Sequence, residues 1–425
     1  MEQFLVNLTT VILLFTFFIL LRTTYIRFKE KGFSVAHAGV GALFFFLGLP
    51  ILLDVLFGPG NFSNYRGFHY ALNSPEASLY YNIYITYVCL VFYFYIRGSH
   101  KIKRFNFDTQ NFYKSIVRFK IVFWILLVLP IFIVVFFSPR PEEYFNYQVT
   151  LLNRDQEFRD GHVYVFRAAL IAVVSACFLF FSVKKNLDVA LVGKYLIIIF
   201  FLFLAFWLDG KRGIFFKFFF VFLVIGILMG KIQPRKLFKY LITGLSILTV
   251  VVLLYGKDFA SNNRYGRDAY TSLRLNIGRD HTVKYTLYKE YVENDMILEH
   301  RGQSFLFAAT FFIPRDRWVD KPYPYAVYFV SSVINVPPEP QGWSFTTCIL
   351  EEMISNLGFI GMVVAPFFLL WICKVGDRAD NKFLTVIATM CVVFYLFTQM
   401  AAFLPILILF IILLIREKFK KVTFK

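Results

Sequence analysis

Apolar runs long enough to cross a bilayer recur from one end of this chain to the other, and they constrain its fold more than any other feature. The runs fall at 4–21, 34–57, 79–96, 121–137, 164–182, 195–208, 214–230, 237–255, 347–371, 383–398 and 402–415. Each reaches, or nearly reaches, the length that covers a hydrocarbon core of roughly 30 Å. No water at that depth satisfies backbone N–H and C=O groups, so runs of this kind must be helical. The expectation is an all-α, polytopic integral membrane protein, a single domain over 1–425 with about eleven transmembrane helices. Composition agrees, with 58% of residues hydrophobic and only 17% charged. The net charge of +18 does not point to nucleic acid, because most basic residues sit in short loops between spans, where they set topology. Cys89, Cys177, Cys348, Cys373 and Cys391 lie in or beside spans without a close-spaced pair, and predict neither a disulfide framework nor a metal site.

Loop charge fixes the expected orientation. The segments RGSHKIKRFNFDTQNFYKSIVRFK, VKKNLDVALVGK, KIQPRK, CKVGDRADNK and REKFKKVTFK alternate with loops poorer in Lys and Arg, which places the basic set and the C-terminus in the cytoplasm and the N-terminus outside. The first run has basic residues after it and none before it, the reverse of a secretory signal, and reads as a retained helix. The informative polar sequence then faces outward: 58–78, 138–163, the pentapeptide DGKRG at 209–213, and a long loop over about 256–346. A structureless loop of that length is uncommon in a compact protein, so it should carry its own elements. One is an amphipathic helix from Asp280 to about Met296, with Asp280 as N-cap and Val283, Leu287, Tyr288, Tyr291, Val292 and Met296 on its apolar face. It would lie on the membrane surface or against the bundle. The other is SFLFAATFFIP, residues 304–314, half a span in length and read as a re-entrant or interfacial segment.

Several charges need an explanation in so apolar a chain. Arg212 opens a helix after a turn that Gly210 and Gly213 permit, where free N–H groups favour an anion and a guanidinium grips phosphate with two parallel hydrogen bonds. An interfacial arginine facing lipid headgroups explains it equally well. Arg167 and Lys217 lie about a turn inside their runs, snorkelling outward or facing a polar cavity. Arg315 and Arg317 follow the half-span run, beside Trp318 and ahead of Lys321-Pro322, with Pro314 fixing the turn. Arg264, Arg267, Arg274, Arg279 and Arg301 would add to an electropositive outer funnel suited to pyrophosphate or acidic sugars. Glu351 and Glu352 open the ninth run, as a general base or as partners of an arginine. Among the outer histidines, His281 and His300 fall in the organised loop. The chain contains no phosphate loop, zinc helix or nucleophile elbow motif.

Three stretches, DGKRG between two mid-chain helices, FIPRDRWVDKP in the long outer loop and EEMISNLGFIG leading into the next span, together resemble the O-antigen polymerase or oligosaccharide repeat-unit polymerase family of bacterial inner membranes. The family's turn arginine and glycine fall on Arg212 and Gly213. Its Pro-Arg with Trp and Lys-Pro falls on Pro314, Arg315, Trp318, Lys321 and Pro322, and its Glu-x-x-x-Asn-x-Gly on Glu352, Asn356 and Gly358. The resemblance implies a metal-independent glycosyltransferase without cofactor, built as a GT-C-like helical bundle with a large structured outer loop. Its donor would be a growing glycan on undecaprenyl pyrophosphate and its acceptor a lipid-linked repeat unit at the outer face of the cytoplasmic membrane. Membrane lipids, a chain-length regulator and a flippase would be its further partners. Arg212, Arg315 and Glu352 would be catalytic, the arginines at pyrophosphate and the glutamate activating the acceptor or orienting an arginine. Arg301, Arg317, Trp318, Lys321, Asn356, Lys217, Arg279 and His300 would bind substrate. Trp318, Tyr323 and Tyr325 would stack on sugar rings or pack at the interface. The alternatives are a ligase that passes a finished polymer to another acceptor, and a flippase. A flippase predicts two similar halves and charges deep in many spans, and the sequence has neither.

Overall fold

The computed structural model describes residues 1–98, 119–138, 140–146, 156–182, 189–210, 213–228, 269–313, 315–340 and 344–423, and among these every regular element is helical. Among the described residues eight stretches are long and apolar enough to cross a membrane: Glu2–Lys31, Val35–Phe57, Pro75–Gly98, Lys120–Phe137, Tyr164–Ser182, Val192–Asp209, Phe359–Arg378 and Met400–Phe419. The chain is therefore a membrane-embedded, polytopic helical protein. It divides into two compact units, one made of residues 1–105 and 256–425 and the other of the intervening 106–255.

The second unit contains α5 (Lys120–Phe137), α6 (Gln156–Ser182), α7 (Val189–Asp209) and α8 (Gly213–Leu228), with α6 packed against the other three. Ala169, Ala172 and Ala176 share one face of α6 at helical spacing, and their small side chains let Leu127, Ile198 and Ile214 approach closely. The expected run at 237–255 lies outside the described residues.

In the first unit α1 (Glu2–Lys31) lies along α4 (Pro75–Gly98). Between apolar faces without a hydrophobic driving force in lipid, polar contacts act as glue. Asn82 Nδ2 supplies them, donating to Thr9 Oγ1 at 3.0 Å and Thr10 Oγ1 at 2.9 Å. α2 (Val35–Phe57) contains a π-helical turn at Phe44–Gly48 and packs on α14 (Phe359–Arg378) and α15 (Lys382–Tyr395). Asp377 Oδ1 accepts the Val35 N–H at 2.6 Å, closing the start of α2. α16 (Leu404–Thr423) follows a 3-10 turn at Met400–Phe403.

Short helices build the rest of this unit: α3 (Arg66–Asn73), α9 (Ala269–Ile277), α10 (Asp280–Leu287), α11 (Gln303–Ala309), α12 (Tyr325–Ile334) and α13 (Ile349–Leu357). Their core is aromatic, with Phe62, Phe68, Tyr285, Tyr328 and Phe329 packed around Ile297, Leu298 and Val333.

Three expectations need correction. The run at 347–371 is two helices, because Gly358 adopts φ +60 and turns the chain back so tightly that a Cβ at Gly361 would collide with the Met353 carbonyl. Consequently α13 is a separate nine-residue helix and not the start of a span. The helix expected over 280–296 is shorter, ending in a π turn at Tyr288–Val292, and of its two expected placements it takes the one against the bundle: seven of the eight residues of α10 are buried. Asp280 does not cap α10; its carboxylate ion-pairs with Arg274 instead.

Candidate functional site

Two polar clusters in the first unit meet on α11. At the first, Ser304 in the opening turn of α11 donates to Glu352 Oε1 of α13 at 2.9 Å. Asn356, one turn on from Glu352, donates from Nδ2 to Ser304 Oγ at 2.8 Å and to the Glu352 carbonyl at 2.6 Å. The other Glu352 oxygen accepts the Met400 N–H at 2.7 Å, which ties the 3-10 turn before α16 to the same carboxyl. Glu352 and Asn356 are fully buried, and these bonds hold three chain segments together. Burial pushes the Glu352 carboxyl up to about 7. Its neighbour Glu351, also fully buried, reaches back from the first turn of α13 to the Cys348 N–H at 2.6 Å. Its Oε2 has no hydrogen-bond partner, since the adjacent Thr282 hydroxyl donates to the Arg279 carbonyl at 2.9 Å, and burial raises Glu351 to about 8.

The second cluster follows α11. Arg315 and Arg317 begin and end a 3-10 turn. Arg315 lies 4.1 Å over the Tyr323 ring and donates from Nη2 to the Pro322 carbonyl at 3.0 Å. Lys321 is buried and donates from Nζ to the carbonyls of Ile313 at 2.7 Å and Phe311 at 3.4 Å, with its ammonium over the Phe307 ring of α11. It therefore clips the turn shut, and is spent on the fold where substrate binding was expected. Trp318 is half-buried, bridging the turn from Arg315 to Lys321 through its backbone, while Arg317 is exposed. Among the described residues neither Arg315 nor Arg317 meets a carboxylate.

The other expected members of an electropositive funnel are committed elsewhere. Arg301 holds Glu290 through both terminal nitrogens, at 2.8 and 2.5 Å, and donates to the Ile354 and Ser355 carbonyls that end α13. Arg279 is buried among carbonyls, those of Phe397, Gly278 and Asn276, and burial lowers it to about 10. Arg274 is 1% exposed and is gripped from two sides. Nε and Nη2 donate to Asp54 at 2.8 and 2.7 Å; Nη1 and Nη2 donate to Asp280 at 2.9 and 2.8 Å. Tyr270 also donates to Asp54, at 2.8 Å. Tyr325 is core and not a sugar platform, its hydroxyl bonded to Ser355 Oγ at 2.9 Å. His281 is sealed between Phe62 and Phe68.

His300 is exposed at the surface of the first unit, and its backbone is held by Gln303, whose side chain accepts the His300 N–H and whose N–H donates to the His300 carbonyl. Lys217 belongs to the other unit, buried over the Phe166 ring. Arg212, Arg264, Arg267 and Pro314 lie outside the described residues. Sequence reasoning missed Asp54, Glu290 and Ser304. Only Asp54 carried a signal, as a lone carboxylate near the end of an apolar run. No group of three or more His, Cys, Asp or Glu that could hold a metal occurs among the described residues. Comparison with protein families, curated proteins and solved structures gives no match.

Proposed function

We propose that the protein is a repeat-unit polymerase of the bacterial cytoplasmic membrane, oriented with its N-terminus outside and its C-terminus in the cytoplasm. It transfers a growing glycan from undecaprenyl pyrophosphate to a sugar hydroxyl of a new lipid-linked unit. The acceptor oxygen bonds to the anomeric carbon, the bond from that carbon to the pyrophosphate oxygen breaks with its electron pair, and the hydroxyl proton passes to a base at the exposed face.

One observation carries the reading. In a unit whose Arg274, Arg279 and Arg301 are consumed by internal partners, Arg315 and Arg317 sit on one short turn and, among the described residues, meet no carboxylate. The turn is fixed from behind by Lys321 and by α11. Guanidinium groups preorganised without reorganisation cost are what a leaving pyrophosphate requires as its charge develops. Glu352 enters this scheme as a positioning residue: through Ser304 it anchors α11, and α11 in turn packs beneath Lys321.

Lipid extracts of cells carrying Arg315→Ala test the proposal. Polymer should disappear while single repeat units accumulate on the carrier lipid. Long chains accumulating on the carrier would point instead to the ligase reading.

A further inference from the structure

A crevice of about 230 Å³ opens between the segment 289–299 and the C-terminal half of α12, next to the arginine turn. It lies below the roughly 300–1,000 Å³ of sites for drug-sized ligands, so it suits one small ring and not an extended chain. Its lining is largely polar, with Lys289, Asp295, Glu299, Tyr328, Ser331 and Asn335 contributing. Ser331 is 1% exposed and its hydroxyl has no partner, an uncompensated buried group that a ligand hydroxyl would satisfy. The charge is unsuited to phosphate. Lys289 is held between Glu293 and Asp295, both at 2.7 Å, which leaves the carboxylate of Glu299 in excess in the lining. Carboxylates that accept hydrogen bonds beside a tyrosine and the apolar edges of Met296 and Val336 match a ring with many hydroxyls and apolar C–H faces.

Position links the crevice to the arginines. Tyr328, in its wall, accepts the Tyr323 N–H at 3.1 Å, and the Tyr323 ring carries Arg315 at 4.1 Å. One tyrosine pair thus links a cationic turn to a hydroxyl-accepting crevice.

We infer that this crevice is a saccharide subsite that takes one uncharged pyranose ring of the lipid-linked glycan while Arg315 and Arg317 hold its pyrophosphate. The inference rests on the proposed function for the identity of the ligand, and on the crevice alone for its sugar chemistry. Excess carboxylate makes it selective, admitting neutral sugars and repelling uronic acids.

Saturation-transfer NMR on the full-length protein in nanodiscs tests it directly, with the methyl glycosides of glucose, galactose, N-acetylglucosamine and glucuronic acid as probes. At least one neutral glycoside should show transfer and the glucuronide none. Val336→Trp, at a rim position 39% exposed, should weaken the signal by about tenfold or more by filling the crevice. Asn335→Gly, which keeps the left-handed backbone of that residue (φ +56), should weaken it without perturbing the fold. Arg315→Ala should leave it unchanged. Silence from every neutral glycoside, or an unaltered signal in Val336→Trp, overturns the subsite. Because Arg315→Ala is scored separately for polymer, loss of polymer without saccharide binding condemns the subsite alone, and saccharide binding with normal polymer in Arg315→Ala condemns the polymerase reading alone.

Discussion

Arg274 and Arg315 carry the same guanidinium on the same unit and meet opposite fates. Arg274 is removed from solvent and engages two carboxylates with all three of its nitrogens. Arg315 has one carbonyl and one aromatic ring. The difference teaches how a chain this apolar handles charge. A buried guanidinium is tolerable only with its counter-charge and hydrogen bonds supplied, and then it serves the fold. One held in place with no counter-charge among the described residues is, on the proposed reading, free to meet a ligand's.

The largest effect that could break this comparison is at the buried node. Arg274→Ala strands Asp280 and Asp54 and should cost about 3–5 kcal/mol, enough to remove most folded protein from detergent extracts in a thermal-stability assay. An Arg274→Ala protein that melts like the wild type would erase the distinction. Next is Arg315→Ala, which should keep its melting temperature yet lose about 10²–10³-fold in polymer formation, the size expected for one lost stabiliser of developing charge. Lys321→Met lies between the two classes. Losing charged hydrogen bonds to two carbonyls should destabilise by roughly 1.5–3 kcal/mol and depress activity by loosening the turn that carries Arg315.

pH sharpens the contrast further. Burial raises Glu352 from 4.5 to about 7, so the folded state keeps a proton that the unfolded chain has released. Stability from this group is full below 4.5 and is lost as pH rises to about 7, and Glu351 extends the decline to about 8. Asp280 behaves in the opposite sense: burial opposes its ionisation, but Arg274 overrides this and holds it well below 3.8, so its contribution persists upward and is lost only in acid. Melting curves between pH 4.5 and 8 should therefore fall with pH, and Glu352→Gln should flatten the part of the slope that ends near 7. Smallest of all, His300→Ala should stay within about ±0.5 kcal/mol of the wild type in the same assay.

Much of the fold was legible because lipid leaves the backbone few options. The apolar runs at 4–21, 34–57, 79–96 and 121–137 became α1, α2, α4 and α5 with only their ends adjusted. Hydropathy failed at Gly358, since a positive φ changes the path of the chain without changing its greasiness. Charge reading succeeded in finding the arginines and failed in assigning them. The partner of Arg274 on α2 is 220 residues away, so no local pattern reveals that this arginine of the long loop is neutralised. The same holds for Glu352, whose position at the start of an expected span suggested a general base or the partner of an arginine. Its burial follows from α11 and the Met400 turn closing over it, contacts that exist only in three dimensions.

The central claim is that the buried arginines carry the fold and the arginine turn carries the chemistry. Purified protein in proteoliposomes, supplied with its lipid-linked repeat unit, tests it most directly. Wild-type protein should convert the unit into a ladder, while Arg315→Ala, melting at the wild-type temperature, should leave it as single units. A ladder of wild-type length from Arg315→Ala would contradict the account.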